Sequence, residues 1–278
     1  MQANDTSIKS SSKLARAALA TATVAARRAA DVITKAAPDF GSLEWVEKGT
    51  SDFVTEVDRA AEAALVQVIS RDFPDAVILG EELTPEQAAS EGGLTFIADP
   101  LDGTTNFLHG YPQYAVSIGV QSANELIAAV VLNVARGDLF TASTGEGTRL
   151  NGKPVRVSTT SSPARALIGT GFPFKTPEVL DEYARQFVAI NREVSGIRRA
   201  GSAALDLADI ACGRFDGFWE LILAPWDIAA GLLLVREAGG IVTDLAGAPC
   251  QPSHGPVVAG NPDIHPWLLD AVRRASST

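Results

Sequence analysis

The stretch Phe96-Ile97-Ala98-Asp99-Pro100-Leu101-Asp102-Gly103-Thr104-Thr105-Asn106 constrains this chain more than any other. Its apolar start reads as a buried strand, and two carboxylates stand just past it, three residues apart. Pro100 allows no regular continuation of the strand and Gly103 permits a turn. Thr104 and Thr105 then offer hydroxyls where a short helix begins. Aspartates held between a strand end and a helix start suit a hard cation, and the free N–H groups of a helix start suit an anion. A cation and an anion at one spot point to a phosphate ester on Mg²⁺. Taken alone, the stretch is more simply a turn, because Asp, Pro and Gly dominate turns. Its agreement with other stretches argues for chemistry.

Those stretches place further carboxylates in similar positions. Ala76–Leu79 reads as a short buried strand with Gly80-Glu81-Glu82 at its end. Val54–Ile69 carries apolar residues at helical spacing, with Asp58 in the first turn, where the helix dipole favours a carboxylate and capping alone explains it. Pro225-Trp226-Asp227 opens a very apolar helix, Trp226–Ala238, for which Asp227 is a plausible N-cap. A carboxylate starting a buried helix is costly without a partner, and a metal supplies one. Glu220, at the end of the strand Phe215–Glu220, is the companion case.

Composition removes several alternatives. The formal charge of −10, from 23 basic and 33 acidic residues, disfavours nucleic acid or anionic lipid as the main partner. It does not oppose an anionic substrate that arrives with metal ions. No apolar run approaches the roughly 20 residues of a membrane helix. Cys212 and Cys250 are isolated, which argues against a disulfide framework and fits a reducing cytoplasm. His109, His254 and His265 form no zinc motif, and no G-x-S-x-G occurs. Gly147-x-x-x-x-Gly152-Lys153 imitates a P-loop, but Pro154 replaces the required Ser or Thr and prevents the helix that should follow. Carboxylates are left to carry the chemistry.

Along the chain, the Ser-rich residues 1–12 read as a disordered tail and 13–278 as a single catalytic domain with two intimate halves, 13–157 and 158–278. Lys13–Ala37 reads as an Ala-rich structural helix rather than a transit peptide. Lys48–Asp52 is a loop or hairpin tip. Tyr114–Gln121, Leu126–Asn133 and Asp138–Ser143 read as successive strands, with Asn151-Gly152 turning the chain into Val155–Val157. Strands and helices then alternate: Ala166–Thr170, Pro177–Asn191, Val194–Arg198, Ser202–Cys212, Phe215–Glu220, Trp226–Ala238, Ile241–Asp244, Val257–Ala259 and Asp263–Ala275. The alternation predicts helices layered on sheets.

Gly80-Glu81-Glu82, Asp99 through Asn106 and Trp226-Asp227-Ile228-Ala229-Ala230-Gly231 resemble, in order, the signatures of the inositol monophosphatase family. Lys48–Asp58 and Gly201-Ser202-Ala203-Ala204 match as well. Gly171-Phe172-Pro173-Phe174-Lys175 and Gly213-Arg214-Phe215-Asp216-Gly217 are similar to its bacterial SuhB-type branch. The resemblance implies an α+β fold, a layered αβαβα sandwich of the sugar-phosphatase type with mixed sheets. It further implies Mg²⁺-dependent, lithium-sensitive hydrolysis of myo-inositol-1-phosphate with two to three Mg²⁺ per site and no covalent phosphoenzyme. By position, Glu81, Asp99 and the Leu101 carbonyl would bind the first metal, and Asp99, Asp102 and Asp227 the second. A third would sit near Glu81, where Glu82 helps. Asp58 and Thr104 would orient the attacking water, and the Gly103 and Thr104 amides would hold phosphate. Ala203 and Glu220, with Asp102 and Asp227, would face the polyol. A homodimer acting on a small phosphorylated polyol or sugar is implied, without nucleic acid or membrane. A broad-specificity sugar phosphatase of the fructose-1,6-bisphosphatase kind, a histidinol phosphatase, a 3′-phosphoadenosine 5′-phosphate phosphatase, and a protein-binding partner that keeps the phosphatase fold are the competing readings.

Overall fold

The computed structural model describes residues 2–37, 46–49, 52–84, 93–173 and 176–276. Helix α1 (Gln2–Ala36) leads to the hairpin β1 (Val46–Gly49) and β2 (Asp52–Val54), then to helix α2 (Glu56–Asp72). Residues 50 and 51 of the expected hairpin tip lie outside the described residues. Helix α1 starts at Gln2, not Lys13, so the expected disordered tail is helical from there. No Gly or Pro interrupts residues 2–36, and extending a helix already nucleated costs little. Along α1, Ala15, Ala18, Ala22, Ala25, Ala26, Ala29 and Ile33 repeat at helical spacing and are buried with Val57, Ala61, Leu65 and Ile69 of α2.

The first large sheet follows. Its strands are β3 (Val77–Gly80), β4 (Leu94–Asp102), β5 (Ala115–Ser122), β6 (Glu125–Asn133), β7 (Asp138–Ser143), β8 (Gly147–Leu150) and β9 (Lys153–Val155), paired in that order. The β3–β4 pair is parallel and the other pairs are antiparallel. Both faces are covered: Val116, Ile118 and Val120 of β5 join the core under α1 and α2, while Ala115 joins the core on the other side. A short helix, α3 (Thr104–Leu108), leaves β4. The P-loop imitation lies in the β8–β9 hairpin, where Asn151 and Gly152 take the positive φ of a tight turn.

The second half contributes β10 (Leu167–Thr170), α4 (Leu180–Asn191), β11 (Gly196–Arg198), α5 (Ala203–Ala211) and β12 (Gly217–Leu223). It closes with α6 (Pro225–Glu237), β13 (Ile241–Thr243), β14 (Gly255–Gly260) and α7 (Ile264–Ser276). Its five-stranded sheet has the order β11-β10-β12-β14-β13, with parallel and antiparallel pairs. Helices α5 and α6 lie between the two sheets, and α4 and α7 cover the outer face of the second. The result is an α+β sandwich with layers α1/α2, sheet, α5/α6, sheet, α4/α7. Its middle position explains the unrelieved apolar sequence of α6: Ile228, Ala229, Ala230, Leu232, Leu234 and Val235 are all buried.

Candidate active site

Strand β4 delivers the first carboxylates. It does not stop at Pro100: pairing with β5 continues to Asp102 after an irregularity between Asp99 and Asp102. Such a bulge re-aims side chains and accommodates a residue that cannot donate to the ladder. Asp99 is 2% exposed, and its Oδ1 accepts the Leu101 N–H at 2.9 Å. Gly103 follows with φ of +93°, a conformation that disfavours a side chain, and a Cβ there would crowd the Gln113 carbonyl at 2.9 Å. Helix α3 then starts at Thr104, as expected from the sequence.

Asp58 is the third residue of α2, and its Oδ2 accepts from the Thr55 N–H (2.9 Å) and hydroxyl (2.5 Å), closing a capping box. Its other oxygen accepts from the Thr104 hydroxyl at 3.0 Å. The capping role and a role at the site therefore coexist, one per oxygen. Burial pushes the Asp58 carboxyl up, and bonds from Thr55 and Thr104 oppose that shift.

Asp102 reaches across to the second half. Its Oδ2 accepts from the Ser202 hydroxyl at 2.5 Å and from the Ala204 N–H at 2.8 Å, at the start of α5. Asp227 is not the N-cap of α6; Ala224 is. Pro225 takes the first helical position, which needs no N–H, and Asp227, third in the helix, accepts the Ala224 N–H at 2.7 Å.

Glu81 follows β3 in a turn held by Glu62, a fully buried residue of α2 that accepts the Glu82 N–H (2.7 Å) and the Leu83 N–H (3.0 Å). Glu220 of β12 lies against Gly171: any Cβ at 171 would overlap its carboxylate. Asn106, at the end of the signature stretch, donates to the Gln113 and Ala200 carbonyls at 2.7 and 2.9 Å and so ties α3 to the second half.

One cavity of about 510 Å³ collects these groups. Glu81, Asp99, Leu101, Asp102, Gly103, Thr104, Ala203, Glu220 and Asp227 all line it, while Asp58 stands behind Thr104. Burial, followed by the negative charge of Glu81, Asp102 and Asp227, raises the Asp99 carboxyl well above its ordinary value. That mutual repulsion is what a divalent cation relieves, and the donors are the oxygens that Mg²⁺ prefers. Among the described residues no three His, Cys, Asp or Glu side chains close on a point as a complete cage. Mg²⁺ rarely needs such a cage, since it keeps water and substrate oxygens among its ligands. The set fits Mg²⁺ in charge and donor chemistry.

Sequence reasoning missed four residues here. Glu62 was legible as a charge on the apolar face of α2, four residues after Asp58. Ser202 caps α5, and its bond to Asp102, 100 residues away in sequence, has no local signal. Arg199 and Asp206 line the cavity with no local signal.

The layers and the carboxylate-lined cavity define a phosphatase fold. The family model for the inositol monophosphatase family matches residues 15–277, and the chain belongs to that family. It is 45% identical over 252 residues to "Nus factor SuhB" of Pseudomonas aeruginosa, covering 90% of this chain and 93% of that protein. The crystal structure of extragenic suppressor protein suhB from Bartonella henselae is 38% identical. It superposes with a TM-score of 0.86, covering 93% of this chain and 99% of that one. An inositol monophosphatase from Anabaena (Nostoc) is 36% identical with a TM-score of 0.82, covering 93% and 96%. No helix among the described residues is long and apolar enough to cross a membrane.

Proposed function

We propose that this chain is a Mg²⁺-dependent phosphomonoesterase that hydrolyses myo-inositol-1-phosphate to inositol and phosphate. The observation that carries this reading is the gathering of Glu81, Asp99, Asp102 and Asp227, with the start of α3, around one cavity. Glu81, Asp99 and the Leu101 carbonyl would hold one Mg²⁺, and Asp99, Asp102 and Asp227 a second; a third belongs near Glu81. Bound ions supply Lewis acidity toward phosphate and water. The Asp58 carboxylate accepts from the Thr104 hydroxyl, which leaves a Thr104 lone pair to orient the attacking water. The Gly103 and Thr104 amides face the phosphate, and Ala203 and Glu220 face the polyol with Asp102 and Asp227. A cytoplasmic, lithium-sensitive homodimer completes the proposal.

Phosphate release from inositol-1-phosphate, fructose-1,6-bisphosphate, histidinol phosphate and 3′-phosphoadenosine 5′-phosphate, with and without Mg²⁺ and Li⁺, tests it. A Mg²⁺-dependent, Li⁺-sensitive preference for the first supports it, and preference for another ester moves the polyol assignments. The relatives named Nus factor favour a second reading, a protein-binding role on the same fold. Partner capture that persists without metal, in a chain that turns over none of these esters, would establish that reading instead.

A further inference from the structure

Glu62 is not part of the cavity wall, and it is fully buried on the face of α2 that an apolar residue would fill without needing partners. A carboxylate there is costly unless it is hydrogen-bonded. Both of its oxygens serve one segment: Oε2 accepts the Glu82 N–H at 2.7 Å and Oε1 the Leu83 N–H at 3.0 Å. The segment in turn makes room for it, since a Cβ at Gly80 would overlap the Glu62 carboxylate. Gly80 itself is held from two sides. It pairs with Ala98, the residue before Asp99, in the parallel register of β3 and β4. Its N–H donates to the Thr84 hydroxyl at 3.0 Å.

Glu81 therefore stands between a residue fixed by the sheet and a peptide fixed by Glu62. Because a peptide unit is planar, the bond from the Glu82 N–H orients the whole unit that follows Glu81, and with it the direction of the Glu81 side chain. Asp58 lies one turn before Glu62 on the same face of α2, and its Oδ1 accepts from the Thr104 hydroxyl. One helix face thus holds the Asp58–Thr104 pair and the Glu81 turn together. We infer that Glu62 is a positioning residue, which sets the Glu81 carboxylate for a metal ion before the ion arrives and fixes its spacing from Asp58 and Thr104. This rests on the metal-dependent reading above, in which Glu81 holds Mg²⁺. A ligand set in advance binds more tightly because less order is lost on binding.

The test titrates the metal-free, full-length chain with Mg²⁺ by calorimetry, with no ester present, and follows amide hydrogen exchange across residues 80–84. Wild type is compared with Glu62→Gln, Gly80→Ala and Val68→Ala. E62Q keeps one acceptor oxygen of the two, and G80A keeps the carboxylate but pushes it off the turn. V68A removes core packing further along the same helix. E62Q and G80A should each weaken Mg²⁺ binding about tenfold, the scale seen when a group that orients a metal ligand is lost. Both should also speed exchange at the Glu82 and Leu83 amides, while V68A keeps the wild-type affinity. Thermal melts show which variants fold, and if E62Q does not, G80A is read in its place. Unchanged affinity in E62Q and G80A, or an equal loss in V68A, means a purely structural role and overturns the inference. Glu82 and Leu83 amides that exchange freely in the metal-free wild type overturn it without any variant, because the turn is then not set in advance. A wild type that shows the expected binding pattern but hydrolyses none of the four esters above overturns the phosphatase reading and leaves the positioning role standing. A wild type that binds no Mg²⁺ overturns both.

Discussion

Ser202 donates its hydroxyl to Asp102 Oδ2 at 2.5 Å, and this bond joins the end of β4 to the cap of α5. The same Ser202 oxygen accepts the Leu205 N–H at 3.3 Å, so one side chain caps a helix and orients a proposed metal ligand. Ser202→Ala should lose about 1 kcal/mol of stability from the cap. It should also raise the Mg²⁺ concentration for half-maximal turnover by about tenfold, the usual cost of losing a group that orients a ligand. Urea unfolding and Mg²⁺ titration of phosphate release measure the two effects. An unchanged Mg²⁺ dependence would show that Asp102 needs no such support.

Asp99→Asn should nearly abolish turnover, because it removes a carboxylate assigned to both metals. In metal-free protein it should raise the melting temperature, because it removes a carboxyl that burial penalises first and that Glu81, Asp102 and Asp227 repel besides, while the Asn oxygen still accepts from Leu101. Near-normal activity at saturating Mg²⁺ would refute the shared-ligand role. A lower apo melting temperature would refute the electrostatic account.

Glu220→Gln should lower kcat/KM for inositol-1-phosphate more than for a small ester that lacks polyol hydroxyls. Gly171→Ala should reproduce that pattern, since a methyl group there displaces the Glu220 carboxylate. Equal losses on both esters in either variant would count against a polyol role for Glu220.

His265 bears on stability rather than chemistry. It is 5% exposed, its Nε2 lies 3.0 Å from the Thr243 hydroxyl, and burial lowers its pKa from the usual 6.5. Between the folded value and about 6.5, the unfolded chain binds a proton that the folded chain refuses, so stability rises with pH there. The contribution is complete above about 6.5 and is lost as pH falls toward the folded value. His265→Gln should be less stable at neutral pH, and the gap to wild type should narrow in acid. Denaturation midpoints at about pH 7.5 and pH 5.5 check this, and a constant gap refutes it.

The elements were mostly legible because their patterns are local. The Ala repeat of α1, the apolar β5 and β6 segments and the Asn151-Gly152 turn each declare themselves within a few residues. The bulge that carries β4 past Pro100 was not legible, because it depends on pairing with β5. Nor was the shift of the cap from Asp227 to Ala224, since both readings place a carboxylate in the first turn of α6. Glu62 is marked by its place on the apolar face of α2, but its partners are not, because the Glu82 and Leu83 N–H groups come from a turn 20 and 21 residues further on.

Glu220, expected at a strand end, stands in the middle of β12, because pairing with β14 carries that strand on to Leu223. By itself, then, the sequence determined that Glu81, Asp102, Asp58 and Asp227 stand at a strand end or in the first turn of a helix, the layered class of the fold and the membership of a family. Those are properties of residue type and short spacing. The tertiary structure alone decided what each carboxylate meets. The Asp102 partner lies 100 residues away in sequence, the Asp58 partner 46, and the Gly171 space for Glu220 belongs to the segment that follows β10. Hydrogen bonds and charge repulsion act over a few ångströms in space. Only the folded sandwich brings such distant segments within that range.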